Sequence, residues 1–327
     1  MWKRRTSAQE PTVAANSAVL QQPDVFLPLA LQPQDARIQF DTLSFADDYN
    51  VHPIGLTHNL STLELFQPEA LIDLAKRYNG HPMDSFVAGS APKANVDFNS
   101  VAHGQYAPDV AMTHLDEMPL RILLKRPEDH HPGFKLLMET LLQSISDARG
   151  GFGDEKIVRL QSSVFITSAK ATTPIHFDPE VAFFTQIEGE KIYHVYPPDN
   201  VSEAELEPFY IKSSVEIGRV DASLRDPAKE HVFHLEPGKG LHQPQNAPHW
   251  VETCASRSVS YSVVFETNVT KSLGRTRAFN HYSRKAGIAP SMPGLNPAAD
   301  AIKANAIDAV IPLRKMAGTI LRKIKKH

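Results

Sequence analysis

His176-Phe177-Asp178 places an imidazole and a carboxylate two residues apart within TPIHFDPEVAFFTQIEGEKIYHVYPP, the stretch from Thr173 to Pro198. On a strand, residues i and i+2 share a face, so the pair could offer a nitrogen and an oxygen to one divalent ion. Two ligands at that spacing bind weakly, and a third has to come from a distant strand. His249 in NAPHWVE is the candidate, because a Pro-Gly turn, a short strand and another proline precede it and would return a late strand beside an early one. The chain holds 15 histidines, and His114-Leu115-Asp116 repeats the same spacing. Nothing comparable partners His114, whose segment runs into Met118-Pro119 and a basic strand, so it reads as a surface or turn residue. His130 and His131 read as solvated residues at a helix start, and His194 and His242 as core or surface residues, with His242 a possible neighbour of the ligands.

The residues after the pair narrow the chemistry. A metal held by two neutral imidazoles and one carboxylate retains about one positive charge and keeps open positions, which suits a bidentate 2-oxo acid. The far carboxylate of such an acid needs a cation, and Lys191 on the next expected strand can reach into a barrel to supply it. Thr173, three residues before His176, can add a hydroxyl at the same end. Each residue also has a plainer reading: Lys191 as an outward strand lysine, Thr173 as a β-former before a proline, His249 as a packed turn residue. Cys254 reads as a small buried hydrophobe and Trp250 as part of a barrel wall.

Strands must position these groups. KIVRLQSSVFITSA alternates and is rich in β-branched residues, FFTQIEGEKIYHVYPP holds two strand-like runs around a glycine turn, and HVFHLEPGKGLHQPQNAPHWVETC and SRSVSYSVVFET continue the pattern. Short strands punctuated by Pro and Gly indicate a sandwich or barrel. Upstream, QPEALIDLAKRYNG reads as a helix opened by Pro68 and stopped by Asn79-Gly80, LRILLKR as a strand, and PGFKLLMETLLQSISDARGG as a helix ended by Gly150-Gly151. Beyond Thr270 the pattern is helical, interrupted by APSMPGLNP and, in its amphipathic closing stretch, by Pro312. The expected organisation is a leader over 1–36 without periodicity, an α/β flanking region over 37–150, a barrel over 151–270 and a basic helical region over 271–327.

Composition is ordinary for a globular chain of 327 residues, with 42% hydrophobic and 22% charged residues, which excludes collagen-like and wholly disordered classes. The net charge of −3 conceals an asymmetry: residues 271–327 carry 12 Lys/Arg against 2 Asp, leaving the rest at −13. An acidic body argues against a broad nucleic-acid surface, and no nucleic-acid partner is expected. The basic tail is expected to form a helix pair that docks on the barrel or on a second copy of the chain, giving a homodimer; an anionic membrane surface or acidic partner is the other reading. One cysteine allows no intrachain disulfide, and the polar residues after Met1-Trp2-Lys3-Arg4-Arg5 do not make a signal peptide, so a cytoplasmic location without a transmembrane segment is expected.

Taken together, Thr173-x-x-His176-x-Asp178, FFTQIEGEK ending in Lys191, the following YPP, and PGKGLHQPQNAPHWV resemble the JmjC-type cupin-like 2-oxoglutarate oxygenases. The Thr-to-His and His-to-Lys spacings are similar to those of the hydroxylase branch that includes the asparaginyl hydroxylase factor inhibiting HIF. The resemblance covers about 160–270. It implies a mainly β fold, a double-stranded β-helix (jelly-roll or cupin) core with flanking N-terminal α/β elements and C-terminal helices. It further implies that His176, Asp178 and His249 ligate Fe(II) as the catalytic centre, that Thr173 and Lys191 hold the C5 carboxylate of 2-oxoglutarate, and that O2 is the other co-substrate. The expected activity is hydroxylation of a protein, peptide or small metabolite with release of succinate and CO2. The other readings are a non-catalytic cupin-like binding or regulatory protein and a metal cupin of another reaction class. The chain departs from the pattern at Val181-Ala182 and Val263-Val264, where relatives often carry asparagine, at Lys239, where an acidic residue is common, and at His242, where an aromatic is frequent.

Overall fold

Alternation along the last strand sets the architecture. In Ser258–Thr267, Val259, Tyr261, Val263 and Phe265 occupy one face and Ser258, Ser260 and Ser262 the other, and both faces are buried. The apolar face packs into cores shared with the helices, while the serine face looks into the space between two sheets. The computed structural model describes residues 31–89, 91, 93–95, 106–211 and 218–324, the side chains of Arg219 and 311–324 excepted.

In chain order the elements are β1 (Ile38–Phe40), α1 (Phe45–Asp48), β2 (Ile54–His58), α2 (Pro68–Arg77), β3 (Ser85–Gly89), α3 (Pro108–Met112), β4 (Leu120–Lys125), α4 (Pro127–His130) and α5 (Pro132–Arg149). The barrel strands follow: β5 (Ile157–Thr167), β6 (Thr172–Phe177), β7 (Val181–Glu188), β8 (Lys191–Val195), then α6 (Glu203–Tyr210), β9 (Gly218–Arg219), β10 (His231–Leu235), β11 (Lys239–Gln243), β12 (His249–Thr253) and β13 (Ser258–Thr267). Two helices close the chain, α7 (Asn268–Lys285) and α8 (Pro297–Ile324). A major sheet has the order β1-β2-β11-β7-β13-β5-β4-β3 and a minor sheet the order β10-β8-β12-β6-β9. All strand pairs within them are antiparallel. This is the expected mainly β jelly roll, with helices flanking the core. The upstream strands β1 to β4 extend both edges of the major sheet.

The helices form where the sequence signals them. Pro68 occupies the first turn of α2, and Leu71, Leu74 and Ala75 bury one side. In α5, Leu137, Met138, Leu141 and Ile145 face inward, and Gly150 ends the helix at φ 80°, a left-handed conformation that costs glycine little. Phe134 fits between Phe66 and Tyr261, at ring-centroid distances of 5.5 and 5.9 Å, and joins α5 to β13. Residues 1–30 of the expected leader lie outside the described residues, but its end is built into the fold: Leu31 bridges Leu63 and Ala36 is fully buried. The helix α8 continues past Pro312 without the expected break; a proline forfeits its own N–H bond, and the turns on either side remain helical. No described helix is long and apolar enough to cross a membrane.

His242 pins α1 to the outer face of β11. Its ring stacks on Phe183 at 4.7 Å and on Tyr49 at 5.4 Å. Nδ1 donates to the Ala182 carbonyl (3.2 Å), and Nε2 accepts from the Asn50 backbone N–H (2.9 Å). These two bonds require the neutral imidazole, and burial pushes its pKa down to about 3. An unfolded imidazole takes up its proton near pH 6.5 while the folded one resists to about 3, so acid favours the unfolded chain throughout that window. Stability is therefore present above the unfolded value and is lost as pH falls. His242→Phe is expected to reduce the pH dependence of unfolding free energy between roughly pH 6 and 4 by about 1.4 kcal/mol per pH unit, whatever its effect at neutral pH. Urea titrations at several pH values measure this, and an unchanged slope contradicts the pinned neutral state.

Candidate metal centre

The minor sheet carries all three expected ligands. His176 lies near the end of β6, Asp178 immediately follows that strand, and His249 opens β12. His249 is the direct cross-strand partner of His176, with ring centroids 4.1 Å apart. Asp178 Oδ2 is 3.7 Å from His249 Nε2. One potential ligand atom from each residue falls within 4.8 Å of the others, and among the described residues this is the cluster of His, Cys, Asp and Glu that could hold a metal ion. His114 instead pairs with Glu117 at 2.7 Å, as befits a turn histidine.

Local backbone aims each ligand. His176 Nδ1 donates to the Pro174 carbonyl (2.7 Å) and His249 Nδ1 to the Ala247 carbonyl (3.1 Å). A carbonyl can only accept, so both protons sit on Nδ1 and Nε2 is the lone-pair nitrogen of each ring, the form a metal ligand takes. The loop between β11 and β12 clamps the turn bearing Asp178: the Asn246 N–H donates to the Asp178 carbonyl (2.9 Å) and Gln245 Nε2 to that of Pro179 (2.7 Å). Asn246 is in turn held by the Tyr210 hydroxyl on α6 (2.6 Å), and α6 is tied to α7 through Glu203–Arg277 and Glu207–Arg284, both 2.9 Å.

Electrostatics favour two neutral imidazoles. Burial holds His176 well below the ordinary histidine range, with His249 adding repulsion. Burial also lowers His249, against the pull of Asp178, and raises the Asp178 carboxyl, against His249, Arg159 and Gln243. A divalent ion here would meet the two neutral nitrogens it needs and offset the cost of the buried carboxylate. The Asp178 side chain is 28% exposed while those of His249 and the neighbouring Glu180 are 5% and 7%, so the centre opens on the Asp178 side.

A second polar group lies between the sheets. Lys191 is 4% exposed, its Nζ donating to Ser260 Oγ (2.9 Å) beside the rings of Phe184 and Phe165. Burial, aided by repulsion from Arg121, lowers its pKa to about 7. Arg121 on β4 is 8% exposed and donates to Thr173 Oγ1 (3.2 Å) and the Gly89 carbonyl (3.2 Å). Thr173 and Lys191, expected at one end of the site, thus meet around Arg121. A one-residue register shift makes this possible: His249 and Val251, two apart on β12, pair with His176 and Thr173, three apart on β6. The extra residue falls at Pro174-Ile175, so Thr173 and His176 share a face that strict alternation would deny them.

Three contributors escaped the sequence reading. Arg121 sits between Leu120 and Ile122, which pack under the helices, so the alternation itself turns Arg121 toward the barrel interior. That face reaches the site because β4 pairs with β5 in the major sheet. Gln243 and Tyr193 both face the interior, and the Tyr193 hydroxyl donates to Gln243 Oε1. Gln243 brings an amide to the ligands from β11, whereas Val181-Ala182 and Val263-Val264 bring none.

A 108-residue stretch is 31% identical to tRNA wybutosine-synthesizing protein 4 of Gibberella zeae; it spans 33% of this chain and 11% of that relative's length. Among solved structures, ycfD of Escherichia coli is 19% identical with a TM-score of 0.47, over 84% of this chain and 69% of that one. A structure described as the E. coli ribosomal oxygenase YcfD in complex with cobalt and 2-oxoglutarate is 18% identical with a TM-score of 0.44, over 84% and 68%. Residues 143–273, from the end of α5 into α7, match the JmjC domain, and the double sheet they build is its jelly-roll fold.

Proposed function

We propose that the chain is an Fe(II)- and 2-oxoglutarate-dependent oxygenase that hydroxylates a protein, peptide or small metabolite. The observation that carries this reading is the pairing of a His-Asp-His centre with two buried cations, Lys191 and Arg121, in the same barrel interior. The Lys191 ammonium, desolvated and bonded to the neutral Ser260 hydroxyl, is stabilised by an incoming carboxylate. A 2-oxo diacid reconciles both features, with its keto acid end at the metal and its far carboxylate between the cations. Two histidines and one carboxylate with open positions are the donor set of non-haem iron oxygenases. The Thr173-to-His176 and His176-to-Lys191 spacings support the hydroxylase branch.

When bound, Fe(II) with 2-oxoglutarate and O2 supplies oxidation of a C–H bond, one oxygen atom entering the product hydroxyl and the other the succinate formed with CO2. His176, Asp178 and His249 hold the metal and leave the remaining positions free. Lys191, Arg121 and Thr173 fix the diacid at its far end, so its orientation is set by charge. The apolar lining around them, Phe165, Phe184 and Tyr193, limits water near the metal. The open side at Asp178 admits the substrate.

Turnover in the absence of prime substrate tests the reading. Slow succinate formation from 2-oxoglutarate is expected to require iron and to disappear in His176→Ala and Asp178→Ala. Tight 2-oxoglutarate binding without succinate, even with candidate substrates present, contradicts an oxygenase and supports a regulatory cupin. Lys191→Met and Arg121→Gln are each expected to weaken 2-oxoglutarate binding by about 1.5–3 kcal/mol, roughly tenfold to a hundredfold. They should leave 2-oxopentanoate, which lacks the far carboxylate, nearly unaffected; calorimetry on the manganese-loaded protein separates the two. Only charged Lys191 attracts a carboxylate, so affinity should fall as pH rises above about 7, and Lys191→Met should remove that dependence.

A further inference from the structure

Gln243, the last residue of β11, is fully buried and points into the barrel beside the ligands. Its Oε1 accepts from the Tyr193 hydroxyl, while Nε2 is buried and reaches no acceptor at normal hydrogen-bond distance. The group that Nε2 addresses is the Asp178 carboxylate, whose charged form the amide favours. Turning the amide over would point its carbonyl oxygen at that carboxylate, so the Tyr193 bond and the carboxylate select the same orientation. Tyr193 is itself fixed, its ring stacked on His249 at 5.4 Å and 8°.

We propose that Tyr193 and Gln243 form a positioning pair for the metal centre: Tyr193 anchors the amide oxygen, and the amide N–H closes onto Asp178 when a metal draws the three ligands together. The inference rests on the metal-centre reading. The ligand atoms lie within 4.8 Å of one another. Metal bonds of about 2.1 Å would bring them to roughly 3 Å. Closure therefore moves a carboxylate that carries both charge and a free oxygen. Gln243 Nε2, buried beside that carboxylate and out of normal hydrogen-bond reach of it, gains a charge-assisted hydrogen bond in the closed state and holds one carboxylate orientation. The same aromatic ring supports His249, so two of the three ligands are oriented through Tyr193.

Anaerobic cobalt(II) titration of the full chain, read by visible absorption, tests the pair. Gln243→Leu is expected to weaken cobalt binding by about tenfold to a hundredfold and to shift the absorption bands. Tyr193→Phe keeps the ring stack but frees the amide, so a smaller loss and a band shift in the same direction are expected; it remains informative if Gln243→Leu fails to fold. Wild-type affinity and spectrum in the folded Tyr193→Phe and Gln243→Leu proteins would overturn the proposal, as would a loss of thermal stability with an unmoved spectrum. His249→Ala separates the two levels: if the wild type binds cobalt no better than this variant, the metal-centre reading itself is wrong.

Discussion

The antiparallel pairing of β12 with β6 puts His249 opposite His176, and the rest of the site is built outward from that contact. Strand neighbours at a direct pair stand within about 5.5 Å of each other, close enough for two side chains to serve one ion. A slip of one residue would turn one imidazole out of the barrel. Register is protected on both sides, because β12 also pairs with β8 and both strands send apolar residues into the interior core. The bulge at Pro174-Ile175 uses the same pairing to turn Thr173 inward. It also frees the Pro174 carbonyl to accept the His176 proton.

Charge inside the barrel follows from this arrangement. The imidazoles are kept neutral by burial, with His249 also repelling charge on His176, as metal ligands must be. Lys191 and Arg121 approach each other across strands from different sheets, a placement that the proposed diacid would favour. Centre and cation pair thus divide the interior into an end with the three ligands and a cationic end. The apolar rings between them keep the local dielectric low, which strengthens both interactions. The fold tolerates this polarity because its larger apolar cores lie elsewhere, on the helix-covered face of the major sheet.

Much of this was readable from residues. The alternation in SRSVSYSVVFET gave β13 and its two faces, and the Gly-centred run FFTQIEGEKIYHV gave β7 and β8 with the turn at Gly189. His176, Asp178, His249 and Lys191 stood out by their spacing on expected strands and by the family resemblance of the motifs that hold them. Arg121 did not, because its role depends on β4 joining the major sheet next to β5, a long-range pairing that local pattern cannot supply. Gln243 and Tyr193 look like ordinary strand residues until the sheets are closed over them. The union of α7 with α6, and through Asn246 with Asp178, is equally invisible in sequence, since it runs through ion pairs and a hydrogen bond between segments far apart in the chain.

The most direct measurement is a crystal structure of the full chain with manganese(II) and 2-oxoglutarate, with the metal located by its anomalous signal. The account predicts one strong peak bonded to His176 Nε2, His249 Nε2 and an Asp178 oxygen, with the diacid's far carboxylate between Lys191 and Arg121. A peak elsewhere, or a diacid that leaves both cations untouched, would contradict it.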